Sequence, residues 1–225
     1  MTSFDTTALA VYLVTGAREC AAAGRTVPET VAAAVRGGVR AVQVRAKESS
    51  GAAFLDEVLA VGEAIAATPG GERVLLFVND RIDVALAARA SGVRIDGVHL
   101  GQSDLPAGIA RRVLWPGALI GVTVSNLDEV RRAGPVADYL GLSALFDTPT
   151  KPDAPPGLGL DGIRALAAAS SLPTVAIGGI TAAVLPALRE TGVTGAALVS
   201  GICAASDPER VSRELLASWR KGRAG

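Results

Sequence analysis

Short runs of β-branched and aliphatic residues alternate with Ala-rich amphipathic segments along the whole chain, the pattern of a parallel sheet linked by helical crossovers. Strand-type runs fall at 11–16, 41–46, 74–79, 97–100, 119–124, 139–144, 174–178 and 196–200. Helix-type segments fall at 28–36, 52–66, 81–90, 105–114, 127–133, 160–169, 182–190 and 208–220, several with Pro near the first turn, where a missing N–H costs nothing. Eight βα units of this length predict an α/β fold, a single (β/α)8 TIM barrel over residues 1–225 with frayed tails at about 1–8 and 221–225. A doubly wound open sheet is the competing architecture. It expects fewer strands and a glycine-rich phosphate loop after the first one, where this chain has only Thr15-Gly16.

Composition narrows the class. Hydrophobic residues make up 49% of the chain but aromatic ones only 4%, so small aliphatic side chains must fill the interior. Lys and Arg number 22 against 22 Asp and Glu. That balance leaves no excess field for a nucleic-acid backbone or an anionic membrane, so any anion binding must be local. Two cysteines, Cys20 and Cys203, are too few for a disulfide scaffold or a thiolate metal site and fit a reducing cytoplasm. Residues 1–7 do not resemble a secretion signal, and Gly, Asp or Arg interrupts every apolar run before it could span a bilayer. A soluble cytoplasmic protein is expected, with assembly into a homo-oligomer left open.

In a barrel of this kind the loops at the carboxyl ends of the strands build the site. In the second strand, a period of two puts Gln43, Arg45 and Lys47 on one face and Val42, Val44 and Ala46 on the other, against the helices. Two cations at the barrel mouth call for an anionic partner and suit a diphosphate. Asn79-Asp80 closes the third strand, and Asp104 follows the fourth. Asp80 and Asp104 together suit Mg²⁺, which takes oxygen ligands and shares its shell with substrate phosphate, whereas no His or Cys cluster favours zinc. For either aspartate alone, capping the next helix is the expected role. His99, the sole histidine, is not assigned as a general base; a packed, hydrogen-bonded place inside the barrel suits it at least as well. Gly178-Gly179 after the seventh strand and Ser200-Gly201 after the eighth offer backbone amides to a phosphate. Thr148-Pro149-Thr150-Lys151 reads as a stiffened clamp for a second anion. Residue chemistry alone stops at a metal-dependent barrel handling two phosphorylated groups.

In combination, Gln43-x-Arg45-x-Lys47, Val78-Asn79-Asp80, Gly97-Val98-His99-Leu100-Gly101-Gln102 with Asp104, Thr148-x-Thr150-Lys151, Ile177-Gly178-Gly179-Ile180 and Val199-Ser200 resemble the thiamine phosphate synthase family, from about Tyr12 to the last helix. The resemblance implies transfer of the 4-amino-2-methylpyrimidine-5-methyl group from its diphosphate to the nitrogen of thiazole phosphate, giving thiamine phosphate and pyrophosphate. It gives Gln43, Arg45, Lys47 and Asn79 to the pyrimidine diphosphate and Asp80 and Asp104 to Mg²⁺. Thr148, Thr150, Lys151, Gly179, Val199 and Ser200 go to the thiazole phosphate. Val44, Ala46, Thr123, Pro149 and Gly178 complete the substrate-contacting set, and Arg45, Lys47, Thr123 and Lys151 bear on the chemistry. That chemistry is dissociative in the family and uses no protein nucleophile.

The chain departs from the family pattern twice. After the fifth strand the family has Ser-x-His, and here Thr123-Val124-Ser125 keeps a hydroxyl but lacks the histidine. After the sixth, the family's Gly-Pro, two residues and Pro is replaced by Ser143-Ala144, Leu145-Phe146 and Asp147. A thiazole tautomerase and a non-catalytic barrel that binds a thiamine precursor are the alternative readings. The first expects the absent histidine, and retention of both carboxylates speaks against the second.

Overall fold

All eight strand-type runs close into one parallel barrel in the computed structural model, which describes residues 4–146 and 157–221. The strands are β1 Val11–Val14, β2 Ala41–Val44, β3 Leu75–Asn79, β4 Gly97–Leu100, β5 Leu119–Val124, β6 Tyr139–Ser143, β7 Thr174–Ile177 and β8 Gly195–Leu198. Each pairs with its sequence neighbours, and β8 returns to β1 with Val11 opposite Ala196. The helices are α1 Ala17–Ala22, α2 Val27–Arg36, α3 Gly51–Ala66, α4 Ile82–Ala90, α5 Ala107–Val113, α6 Leu127–Ala133, α7 Gly159–Ala168, α8 Leu185–Arg189, α9 Ser200–Cys203 and α10 Pro208–Lys221.

The strand period of two sorts the core into two layers. Val11, Leu13, Val42, Val44, Val98, Leu140 and Ala196 point outward into the layer shared with the helices, where Phe54, Val58 and Leu185 meet them. Tyr12, Val14, Ala41, Phe77, Leu119, Tyr139, Val175 and Ala197 point inward and fill the lumen. Three rings form the centre of that filling, with centroids 5.3 Å apart for Phe77 and Tyr139 and 5.7 Å for Tyr12 and Phe77. Glycine on neighbouring strands makes the room. A Cβ on Gly121 would stand 2.2 Å from the Tyr139 ring, and one on Gly195 would stand 1.7 Å from the Leu9 carbonyl oxygen.

Leu9 belongs to a 3₁₀ turn, Thr6–Ala10, whose first N–H groups Asp5 caps by accepting from Thr7. The turn plugs the amino-terminal end of the barrel, so residues 6–8 are helical where a frayed tail through residue 8 was expected. Helical order likewise continues through Lys221. Two short helices absent from the sequence reading, α1 and α9, follow β1 and β8 directly; at six and four residues they are too short to carry a period. The helix α2 starts where a capping box dictates, with Thr26 and Glu29 satisfying each other's backbone N–H groups. Cys20 and Cys203 are free and buried, as expected of small apolar fillers.

Gly195→Ala forces a methyl into the Leu9 carbonyl and is expected to cost about 1–3 kcal/mol or more in urea unfolding. Gly108→Ala, whose Cβ would find only Val136 Cγ1 at 3.9 Å, stays within about 0.5 kcal/mol of the parent.

Candidate active site

The carboxyl ends of β2, β3 and β4 enclose a cavity of ≈ 210 Å³ lined by Ala46, Lys47, Phe54, Asn79, Asp80, Arg81 and Asp104. Asp80 holds its place by its backbone: its φ is 58°, a left-handed conformation that aspartate tolerates better than most residues, and its N–H donates to the His99 carbonyl at 2.8 Å. Lys47 Nζ stands 3.4 Å from Asp80 Oδ2. Asp104 is fixed by accepting from the Gly101 N–H at 2.7 Å. Burial, followed by the interaction with the neighbouring Asp104 carboxyl, pushes the Asp80 carboxyl up to about 6, with Lys47 opposing the rise.

Neither aspartate caps a helix. The N-cap positions of α4 and α5 are Arg81 and Pro106, and neither receives a side-chain cap, so the capping expectation gives way to a shared site. Arg81, which the sequence reading passed over, lines the same cavity with its guanidinium doubly hydrogen-bonded to Asp83 at 2.8 and 2.5 Å. Its position next to Asp80 was the available signal. Phe54 reaches in from α3 and carried none, because its spacing marks it simply as a buried helix residue.

The second strand divides its residues differently from the expected single face. Strand geometry ends at Val44, so the alternation does not carry on to Arg45 and Lys47. Gln43 does point inward, but it is buried and donates from Nε2 to the Tyr12 hydroxyl at 3.1 Å, below the mouth. Val44 is fully buried in the helix-facing layer, which turns its side chain away from any substrate. Arg45 is half-buried, its backbone N–H held by Thr15 Oγ1 at 2.9 Å; among the described residues its guanidinium has no acidic partner. Ala46 was expected against the helices and lines the cavity as well.

From Gln43 a run of hydrogen bonds crosses the lumen. Tyr12 and Tyr139 share one at 2.8 Å, Tyr139 meets His99 Nδ1 at 2.9 Å, and His99 Nε2 meets Thr123 Oγ1 at 2.9 Å. Burial raises both phenols above their ordinary range, so they remain neutral hydroxyls. His99 thus has the packed, bonded interior place expected of it, and Thr123 is the member of the run nearest the mouth, only partly buried at the end of β5. The two tyrosines were missed; Tyr139 stands in phase with the small residues Gly141 and Ser143 of its strand, which was its signal.

On the opposite side of the mouth, Gly178 and Gly179 both take left-handed φ values, 109° and 64°. The turn packs under Phe146, where a Cβ on Gly179 would stand 3.0 Å from Phe146 Cβ, and only glycine fits both demands. Gly201 lies beside it: a Cβ there would be 3.9 Å from the Ile180 carbonyl. Val199 is partly buried and Ser200 exposed at the start of α9. Thr148, Pro149, Thr150 and Lys151 lie outside the described residues. Ser125, at the position of the missing histidine, is tied to the start of α6: its N–H and hydroxyl both reach Glu129 Oε2, at 2.7 and 3.0 Å. Among the described residues no group of three or more His, Cys, Asp or Glu side chains could hold a metal, so any cation here would rest on Asp80 and Asp104 with oxygen from elsewhere.

The chain and its architecture have close relatives. The sequence model for thiamine monophosphate synthase matches residues 11–202. The thiamine-phosphate synthase of Vibrio campbellii is 44% identical over 211 residues, covering 93% of this chain and 98% of that protein. The corresponding protein of Archaeoglobus fulgidus is 42% identical over 217 residues, covering 96% of each. In structure, thiamine phosphate pyrophosphorylase from Pyrococcus furiosus superimposes with a TM-score of 0.84 at 31% identity, over 97% of this chain and 99% of that one. With a match that spans the barrel from β1 into α9, this chain belongs to the thiamine monophosphate synthase family.

Proposed function

We propose that this enzyme is a transferase that joins an aminopyrimidine carried on a diphosphate to a thiazole phosphate, releasing pyrophosphate and forming thiamine phosphate. The observation that carries the reading is the cavity over β2 to β4, where Lys47, Asp80 and Asp104 converge across the mouth from the Gly178-Gly179 turn. Two anion-handling regions on opposite rims suit two phosphorylated substrates meeting between them.

Lys47 and Arg45 supply fixed positive charge for the diphosphate, and Asn79 offers its amide beside them. The Arg45 guanidinium, with no acidic partner among the described residues, is available to a substrate anion. Gly178, Gly179, Val199 and Ser200 present backbone groups and a hydroxyl to the thiazole phosphate, with Lys151 and its neighbours Thr148, Pro149 and Thr150 assigned to it by family likeness. Asp80 and Asp104 would hold Mg²⁺. They fit it: both are oxygen donors, they are neighbours, and burial followed by the Asp104 carboxyl raises the Asp80 carboxyl, a setting that arriving positive charge would relieve. Bound there, the ion would supply further positive charge to the departing pyrophosphate. The protein's remaining task is to keep the reacting carbon and nitrogen aligned and dry, and Phe54 contributes an apolar wall. Ser125 stays engaged by Glu129, which leaves the tautomerase reading without its base. Free buried thiols suit action in a reducing cytoplasm.

The deciding experiment is pyrophosphate release from purified protein given both precursors, with Mg²⁺ or with EDTA, and with each precursor omitted. Release is expected only when all three components are present, and release from one precursor alone would overturn the coupling. Asp80→Asn, which keeps the side-chain size and tolerates the left-handed backbone, should lower kcat/KM on the order of 100-fold or more. Mg²⁺ should raise the melting temperature of the parent but not of this variant.

A further outcome follows from the sign of the Asp80 shift. A carboxyl whose folded pKa is raised, here from 3.8 to about 6, makes the folded state bind more protons than the unfolded one, so stability falls as pH climbs through that window. In metal-free protein Asp80→Asn is therefore expected to melt higher than the parent at pH 7, and the gap should narrow toward pH 4. A lower melting temperature at pH 7 would contradict the raised carboxyl.

A further inference from the structure

The run of hydrogen bonds through the lumen has a direction. Gln43 Nε2 donates to the Tyr12 hydroxyl, and each phenol, kept neutral by burial, has one proton to give. With its oxygen receiving from Gln43, Tyr12 has only the Tyr139 oxygen among its hydrogen-bond partners to take its own proton. Tyr139, thereby an acceptor, has only His99 Nδ1 left to take its own, so satisfying both buried protons sets the order. An Nδ1 that accepts leaves the ring proton of neutral imidazole on Nε2, which faces Thr123 Oγ1 at 2.9 Å. Thr123 Oγ1 therefore accepts from below, and its own proton is directed to another acceptor.

We infer that His99 is a positioning residue acting through Thr123: its Nε2–H fixes the Thr123 hydroxyl as a hydrogen-bond donor into the barrel mouth, for an uncharged acceptor such as a ring nitrogen of the aminopyrimidine. The identity of the acceptor rests on the coupling reaction proposed above; the direction of the run does not. The phosphate-handling groups lie on β2 to β4 and β7 to β8, so Thr123 on β5 faces the part of a substrate between the two rims rather than its anionic ends.

The surroundings hold the ring and its partner still. A Cβ on Gly121 would stand 2.5 Å from His99 Nδ1, and one on Gly141 would stand 2.9 Å from Cε1, so the ring fits where two neighbouring strands carry no side chain. Gln102 Nε2 donates to the Thr123 carbonyl at 2.6 Å, fixing the strand end. The branched Cβ of threonine further restricts the hydroxyl to few rotamers.

Because the chain has a single histidine, ¹⁵N-histidine labelling of protein free of any affinity tag yields the signals of one imidazole. Long-range ¹H–¹⁵N correlation near pH 7.5 should show a pyrrole-type Nε2 and a pyridine-type Nδ1, and Tyr139→Phe should weaken that preference. A dominant Nδ1–H form, an evenly averaged pair or an imidazolium overturns the inference, whatever the protein catalyses. In steady-state kinetics, Thr123→Val and His99→Leu are each expected to lower kcat/KM by about tenfold, the worth of one hydrogen bond. The double variant should do no worse than either alone, and His99→Gln, which keeps an N–H toward Thr123, should recover most of the loss. Additive losses, or a His99→Gln variant as poor as His99→Leu, would remove His99 from this role even with the tautomer as expected. Should no coupling activity be found at all, the labelled spectrum alone decides.

Discussion

An eight-stranded barrel has room inside for side chains but for little else, and how this chain fills that space governs the rest of its structure. Few aromatic residues are available, and three of them, Tyr12, Phe77 and Tyr139, sit together at the centre, with only alanine facing Tyr12 (Ala41 and Ala197), Gly97 facing Phe77 and Gly121 facing Tyr139 on neighbouring strands. Two of the three carry hydroxyls that burial would penalise if left unpaired. Pairing them with each other settles one bond each, and the remaining valences must run outward, to Gln43 on one side and to His99 and Thr123 on the other. The filling of the lumen and the chemistry of the mouth are therefore one structure. A polar network of this kind is worth its burial only when each member is satisfied, and here it ends where a substrate could complete it.

Charge at the mouth follows a different logic. The chain as a whole is balanced, so long-range attraction cannot gather anionic substrates, and capture depends on a few groups held close together. Burial raises the Asp80 carboxyl and the neighbouring Asp104 adds to the rise, and Lys47, which leans on Asp80, does not cancel them. An arrangement that is electrostatically uncomfortable by itself becomes favourable when positive charge enters. Its backbone is consistent with that reading: Asp80 adopts a left-handed φ of 58°, which for a residue other than glycine costs energy and is retained where position matters more than local comfort.

Much of this could be read from the sequence. The bounds of β4, β5 and α6 coincide with those expected, because each is bracketed by clear turn residues and carries an unbroken pattern. The candidate site residues at strand ends were chosen for the same reason: in this fold the strand ends are where the site is built. What escaped was whatever depends on reach rather than on phase. Alternation put Gln43 on the inner face but could not say that its amide turns down to Tyr12 instead of up to the mouth. It was extended past the end of β2 to Arg45 and Lys47, where the backbone no longer alternates. The N-cap expectation for Asp80 and Asp104 failed because position before a helix is necessary for capping but not sufficient. In both cases another bond, from Asp80 N–H to His99 or from Gly101 N–H to Asp104, fixes the residue first.

The departure at residue 125 illustrates how a site can lose a group without losing its form. Where the resemblance leads one to expect histidine, Ser125 gives both its N–H and its hydroxyl to Glu129, and Asn126 caps α6 by accepting from the Glu129 N–H at 3.0 Å. The position has been absorbed into the start of a helix, and its side chain is committed there. The fifth strand consequently offers the mouth one oriented hydroxyl, that of Thr123, rather than a hydroxyl and an imidazole. The transfer proposed above asks for leaving-group stabilisation and alignment more than for a base. A strand end that contributes orientation alone is compatible with that demand, whereas a tautomerisation, which must move protons, would have no acceptor in its place.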